Sequence, residues 1–361
     1  MVSSRTMHPD ELPLDEALVR RMVAARFPHW AGLPVESLGT VGTSNAMYRL
    51  GAELVVRIPR IPGAVEDIEK ECVWLRRLAP ELPVAVPVPL AQAGPVDGCP
   101  WPWSVLRWLD GVNPVVGQVA EPALLAADLA DFVTALRRVD PDGGPASYRS
   151  ESLADRDGAV RTAIAALAGA GGAGPVDAEA VDAGAVTAVW EHAVRTPEHP
   201  GPPVWIHADL QPGNLLVDGR GRLSAVIDFG CVGLGDPAVD LIAAWYVLPA
   251  AVRPAFRQAV AADEATWARG RGWALSVALL ELAYYRESNP RMAGIARHVL
   301  GEVLAEHGFP AGHGADPDTP DTPDTPDTPD TPDTPDPADS PDPTGQPGQP
   351  GQASPAGSRH S

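Results

Sequence analysis

Two periods of apolar residues divide this chain. An alternating pattern comes early, and helical spacing dominates later. Leu14 to Phe27 reads as an amphipathic helix. Met47 to Leu50 and Leu54 to Ile58 read as two strands around the turn Gly51-Ala52-Glu53. The following segment, Glu66 to Leu78, brings Ile68, Cys72, Leu75 and Leu78 to one helical face. A Pro-rich stretch from Pro83 to Pro89 leads on to a further strand, Trp103 to Leu109.

After Gly111 the pattern turns helical. Pro122 to Val139 carries Leu125, Leu129, Phe132, Val133 and Leu136 as one buried stripe. Ala163 to Ala188 is rich in Ala and Gly, and both a helix and an irregular insertion fit it. Val204 to Ile206, Asn214 to Val217 and Leu223 to Ile227 read as short strands, the last two joined by Asp218-Gly219-Arg220-Gly221. From Val239 to Glu306 the chain is again helical. The pattern predicts an α+β, two-lobed fold with a small antiparallel-sheet N-lobe and a mainly helical C-lobe. The expected divisions are residues 1–110, residues 111–312, and a tail of residues 313–361.

That tail is a Pro/Asp/Thr repeat followed by Pro, Gly, Gln and Ser, with almost nothing to bury, and it is expected to be extended and disordered. It also distorts the charge. Of the net −20, ten Asp and one Arg in the last 46 residues contribute −9, leaving −11 for residues 1–315. The remainder is still acidic and has no basic patch, which disfavours nucleic acid and anionic membrane surfaces as partners. Lys70 is the one lysine, so arginine must anchor any phosphate elsewhere. Cys72, Cys99 and Cys231 are far apart and lack metal-ligand spacing. Met1 to Glu16 has four acidic groups and no apolar run, and Leu241 to Leu248 is too short to span a bilayer, so a cytoplasmic protein is expected.

Candidate chemistry concentrates in His207-Ala208-Asp209-Leu210-Gln211-Pro212-Gly213-Asn214, followed fourteen residues after Asn214 by Asp228-Phe229-Gly230. Phosphoryl transfer needs a carboxylate to orient the attacking hydroxyl, oxygen ligands for Mg²⁺ and cations on the phosphates. Asp209 suits the first task. Asn214 and Asp228 suit the second, because Mg²⁺ prefers hard oxygen donors. His207 is read as structural, since a carboxylate lies two residues away.

These motifs resemble those of the aminoglycoside phosphotransferase family, small-molecule relatives of the protein-kinase fold, over roughly residues 15 to 310. The resemblance implies ATP as phosphoryl donor, with GTP as an alternative, and Mg²⁺ as the metal. It assigns Asp209 as catalytic carboxylate and Asn214 and Asp228 as metal ligands, and it makes Gly235 to Asp240 a supporting block in which Asp240 buttresses the catalytic loop. Thr43, Ser44 and Asn45 fall in the nucleotide-covering loop, and backbone groups of Arg107 and Leu109 fall at the adenine edge. The family's strand lysine is replaced here by Arg57, with Glu71 as its expected helix partner and Glu66 and Glu69 as the alternatives. That change keeps the charge but alters the shape of the donor.

Other polar and aromatic residues get plainer readings. Asp236 and Asp240 suit a helix N-terminus. Trp101, Trp103 and Trp108 suit packing, and Glu281 and Glu287 a solvated helix face. Five residues separate Gly230 from Asp236, too few for the long activation segment of a protein kinase. The expected partner is a small hydroxylated molecule, an aminoglycoside or macrolide by resemblance. The alternatives are a metabolic kinase of the choline, homoserine or sugar type and a catalytically silent nucleotide-binding protein.

Overall fold

The computed structural model describes residues 12–39, 44–169 and 182–308. The repeat tail and Thr43 therefore lie outside the described residues.

A helix, α1 (Glu16–Arg26), opens the fold, capped by the Asp15 carboxylate, which accepts from the Leu18 amide. It packs Leu18, Val19, Met22 and Val23 into a core shared with an antiparallel sheet. The sheet contains β1 (Val35–Ser37), β2 (Asn45–Leu50), β3 (Leu54–Pro59), β4 (Pro89–Ala93) and β5 (Trp103–Arg107), in the order β1-β2-β3-β5-β4. Gly51, at φ +61°, makes the turn that pairs Leu50 with Leu54. Two edge strands, β1 and β4, go beyond the sequence reading. Between β3 and β4 runs α2 (Val65–Leu78), which buries Ile68, Cys72, Leu75 and Leu78 as its periodicity predicts, and Glu71 with them.

The second lobe begins with α3 (Pro122–Arg138), whose expected stripe is buried in full. The Ala/Gly-rich region supplies α4 (Asp157–Gly169) and α5 (Ala183–Arg195), which resolves the open choice toward helix over its described residues. Short strand pairings follow in sequence. β6 (Val204–Ile206) pairs with β9 (Gly233–Gly235), and β7 (Leu215–Val217) pairs with β8 (Leu223–Val226). The polar motifs sit in the loops between these strands. The remainder is α6 (Ala243–Tyr246), α7 (Arg253–Ala259), α8 (Glu264–Tyr285) and α9 (Pro290–Glu306). Among the described residues no helix is long and apolar enough to cross a membrane.

The last residue of α9 locks this lobe. Glu306 accepts from the indoles of Trp245 and Trp267 at 2.8 and 2.7 Å and faces Arg271 at 3.5 Å and Arg253 at 3.6 Å. An amide there keeps one acceptor and turns a donor toward donors. Glu306→Gln is expected to cost about 1–3 kcal/mol, read as a lower denaturant midpoint with an unchanged slope.

Candidate active site

The site is assembled from the loops flanking the β7–β8 hairpin. After β6 ends at Ile206, His207 is fully buried, and burial lowers its pKa so that the ring is neutral. Its Nδ1 accepts from the Asp209 amide at 3.2 Å, and its Nε2 therefore donates to the Ile227 carbonyl at 3.1 Å. One imidazole thus ties the loop before β7 to the loop after β8, which is the structural role its sequence position suggested.

Asp240 supports the same loop from behind. Its carboxylate, with no exposed surface, accepts from the amides of His207 at 2.9 Å and Ala208 at 2.7 Å. Ala208 sits at φ +68°, a conformation that costs an alanine energy and that these bonds hold in place. Asp236 serves elsewhere, accepting from the Ala238 amide at 2.9 Å and pairing with Arg269 at 2.6 Å.

The Asp209 carboxylate is held on both oxygens. Oδ1 takes Arg149 at 3.0 Å and the Gln211 amide at 3.1 Å, and Oδ2 takes the Asn214 amide at 2.7 Å. Asn214 Nδ2 also donates to the Asp209 carbonyl at 2.8 Å. This commits the nitrogen and leaves the amide oxygen available as a hard donor. Asp228 lies beyond β8 at φ +62°, the second strained non-glycine residue of the site, and its side chain is 47% exposed. The Asn214 carbonyl accepts from the Ile227 amide at 2.9 Å and so links the two loops directly. Among the described residues no three His, Cys, Asp or Glu groups form a metal cage. One carboxylate and one amide oxygen suit a magnesium ion that draws its remaining ligands from phosphate and water.

Arg57, on β3, donates to Glu71 on α2 at 2.7 Å and to Asp228 at 2.9 Å. Burial pushes the Glu71 carboxyl up and the guanidinium pulls it back, so the pair stands as a buried bridge. The helix partner expected for Arg57 is therefore the right one, and the fork also reaches the candidate metal ligand. Lys70, one residue earlier, donates to the Gly230 carbonyl at 2.6 Å and fixes α2 against the Asp-Phe-Gly turn.

The nucleotide-edge residues are arranged as follows. Ser44 accepts from the Arg60 amide through its carbonyl at 2.9 Å, and Asn45 is buried at the start of β2 opposite Pro59. The Trp108 amide donates to the Glu53 carbonyl at 2.7 Å, so by strand alternation the backbone groups of Arg107, the last residue of β5, face away from β3, and Leu109 lies two residues beyond that strand. Trp103 is a core residue, while Trp108 lies under the Arg49 guanidinium, 3.6 Å from the ring centroid.

Two site residues carry no motif, and a third departs from its sequence reading. Arg149 reaches Asp209 from an irregular loop, and Tyr246 emerges from an apolar run. Glu281, expected on a solvated face, instead accepts from Gln211 at 2.6 Å and from the Tyr246 hydroxyl at 2.9 Å. Glu287 keeps the solvated character, with an 85% exposed side chain. Burial, and then the nearby Asp209 charge, raise the Glu281 carboxyl to about 7. A raised carboxyl favours the protonated fold, so its stabilising share is complete below about pH 4.5 and disappears as pH climbs through about 7. Glu281→Gln should therefore gain thermal stability relative to the parent between about pH 5 and 8. Parallel melting curves over that range would refute it.

Residues 38–273 match the model of the phosphotransferase enzyme family. The viomycin phosphotransferase of Streptomyces vinaceus is 26% identical over 225 residues, which cover 58% of this chain and 74% of that protein. Among solved structures, wild-type aminoglycoside 2'-phosphotransferase-IIIa in its GDP complex superposes with a TM-score of 0.64 at 19% identity, covering 81% of this chain and 100% of that one. A macrolide 2'-phosphotransferase from Brachybacterium faecium gives 0.52 at 22% identity, covering 81% and 98%.

Proposed function

This chain belongs to the phosphotransferase enzyme family, and on that premise we propose that it transfers the γ-phosphoryl group of ATP, or of GTP, to a hydroxyl of an amine-bearing antibiotic. The observation that carries the reading is that two loops bound to each other bring Asn214, bonded to Asp209, beside Ile227, the residue before Asp228. In this role Asp209 accepts the proton of the attacking hydroxyl. Asn214 and Asp228 hold Mg²⁺, which when bound supplies charge neutralisation at the phosphates. Arg57, steadied by Glu71, contacts the nucleotide phosphates. Ser44 and Asn45 border the triphosphate, and the backbone at Arg107 and Leu109 meets the purine.

The acceptor class rests on charge. The chain is acidic, so a polycationic molecule gains where an anionic one is repelled. The names of the relatives, which include viomycin, aminoglycoside and macrolide phosphotransferases, point the same way. The test is nucleotide consumption with Mg²⁺ across viomycin, aminoglycosides, macrolides, amino alcohols and sugars, followed by locating the new phosphate. Turnover with a sugar or amino alcohol alone would move the protein to the metabolic alternative. Turnover with none would favour the silent one.

A further inference from the structure

We propose that Arg149 is a catalytic residue that donates to a non-bridging oxygen of the phosphoryl group during transfer, on the Asp209 side of the reaction. The inference rests on the phosphoryl-transfer reading above.

The fold fixes this arginine firmly although it lies in a loop. Residues 145–148 dock along β9 and the turn before it. The Leu234 amide donates to the Pro145 carbonyl at 2.7 Å, the Ser147 amide to the Leu234 carbonyl at 3.0 Å, and the Ser147 hydroxyl to the Cys231 carbonyl at 2.8 Å. The approach is so close that a Cβ on Gly233 would stand 2.5 Å from the Ser147 nitrogen, which leaves glycine as the residue that fits. The Ser147 hydroxyl then accepts from the Arg149 amide at 3.2 Å. This chain of contacts delivers the Arg149 side chain, 11% exposed, to the catalytic loop.

There Arg149 uses one nitrogen. Nη1 donates to the Ala208 carbonyl and to Asp209 Oδ1, while Nε and Nη2 have no protein acceptor among the described residues. Orientation alone does not require it. Gln211 and Asn214 already hold the two Asp209 oxygens as neutral amides. A buried positive charge adds something those amides lack, which is stabilisation of negative charge gathering on the phosphoryl oxygens. The other nearby cations have different tasks: Arg57, paired with Glu71 and Asp228, is assigned to the nucleotide phosphates, and Lys70 is bound to the Gly230 carbonyl.

Distance permits the contact. A hydroxyl oxygen bonded to Asp209 lies about 3 Å from it, and the phosphorus it attacks lies about 3–3.5 Å further. A guanidinium touching the same carboxylate is therefore close enough to turn Nη2 toward the phosphoryl oxygens. As the acceptor O–P bond forms, the bond from the γ-phosphorus to its bridging oxygen breaks, and that oxygen departs with the electron pair on the nucleoside diphosphate. The hydroxyl proton passes to Asp209. Arg149 moves no proton and supplies hydrogen bonds and charge.

The test compares binding of MgADP with binding of MgADP plus aluminium fluoride, a mimic of the phosphoryl group in transit, by calorimetry on the full chain. The parent should bind the fluoride complex at least about 100-fold more tightly than MgADP. R149A and R149M should keep MgADP affinity within about threefold and lose most of that extra factor, while R149K recovers about a tenth of it or more. R149M preserves bulk, so it decides the matter if R149A does not fold. A parent-like ratio in either neutral variant overturns the proposal, as does an equal loss of affinity for both complexes. A parent that binds neither MgADP nor MgGDP overturns both this proposal and the reading it rests on.

Discussion

Asp209→Ala is expected to lower turnover by about 10³-fold or more while MgADP affinity stays within about threefold. The carboxylate is positioned by three donors and is itself assigned neither to the metal nor to the nucleotide, so removing it costs the proton acceptor and the orientation of the hydroxyl. Asp228→Ala should behave differently. It removes a metal ligand, so affinity for the magnesium nucleotide falls together with rate, and Arg57 loses one of its two carboxylates. Isothermal titration beside steady-state kinetics separates the two outcomes. A full-rate Asp209→Ala enzyme would remove the assignment of the proton acceptor. An Asp228→Ala enzyme with parental nucleotide affinity would remove that of the metal ligand. The effects of Asp209→Ala and R149A should not add, because both groups act on the same event.

Much of this architecture was legible in the sequence because burial on one face forces periodicity. The α3 stripe and the α2 face are read directly from apolar spacing, and the β2–β3 hairpin from alternation around a glycine turn. The edge strands gave no such signal. β1 spans three residues with one buried, and β4 starts at a proline and pairs through a register shift. The open question at Ala163 to Ala188 arose because alanine suits a helix without marking which face is buried.

The site divided along similar lines. Asp209, Asn214 and Asp228 stand out as candidates because hard oxygen donors at those spacings suit a divalent cation and a hydroxyl proton better than they suit packing or a helix cap. Arg149 lies 60 residues from the carboxylate it contacts, and its placement depends on a backbone approach to Gly233 that no local pattern encodes. Glu281 is a carboxylate on a helix, and surface glutamates on helices are common. The arrival of Gln211 and Tyr246, from 70 and 35 residues away, distinguishes it.

Asp240→Ala should damage both stability and rate, and the physical reason links the two. The Asp240 carboxylate is the acceptor for two consecutive buried amides, those of His207 and Ala208, and the second residue is held at φ +68°. Alanine at 240 leaves both donors without a partner, at about 1–3 kcal/mol each. Part of that cost is recovered because a carboxyl raised by burial no longer has to be desolvated. A net loss of about 2–4 kcal/mol is expected from chemical denaturation. The backbone then has reason to relax from its strained state, which swings Asp209 away from its place, and a displacement of about 1 Å costs roughly 100-fold in rate. Asp240→Asn retains one acceptor and should fall between the parent and Asp240→Ala on both scales. Loss of stability with parental turnover would mean that the loop keeps its shape without this carboxylate, and that Asp240 serves packing alone.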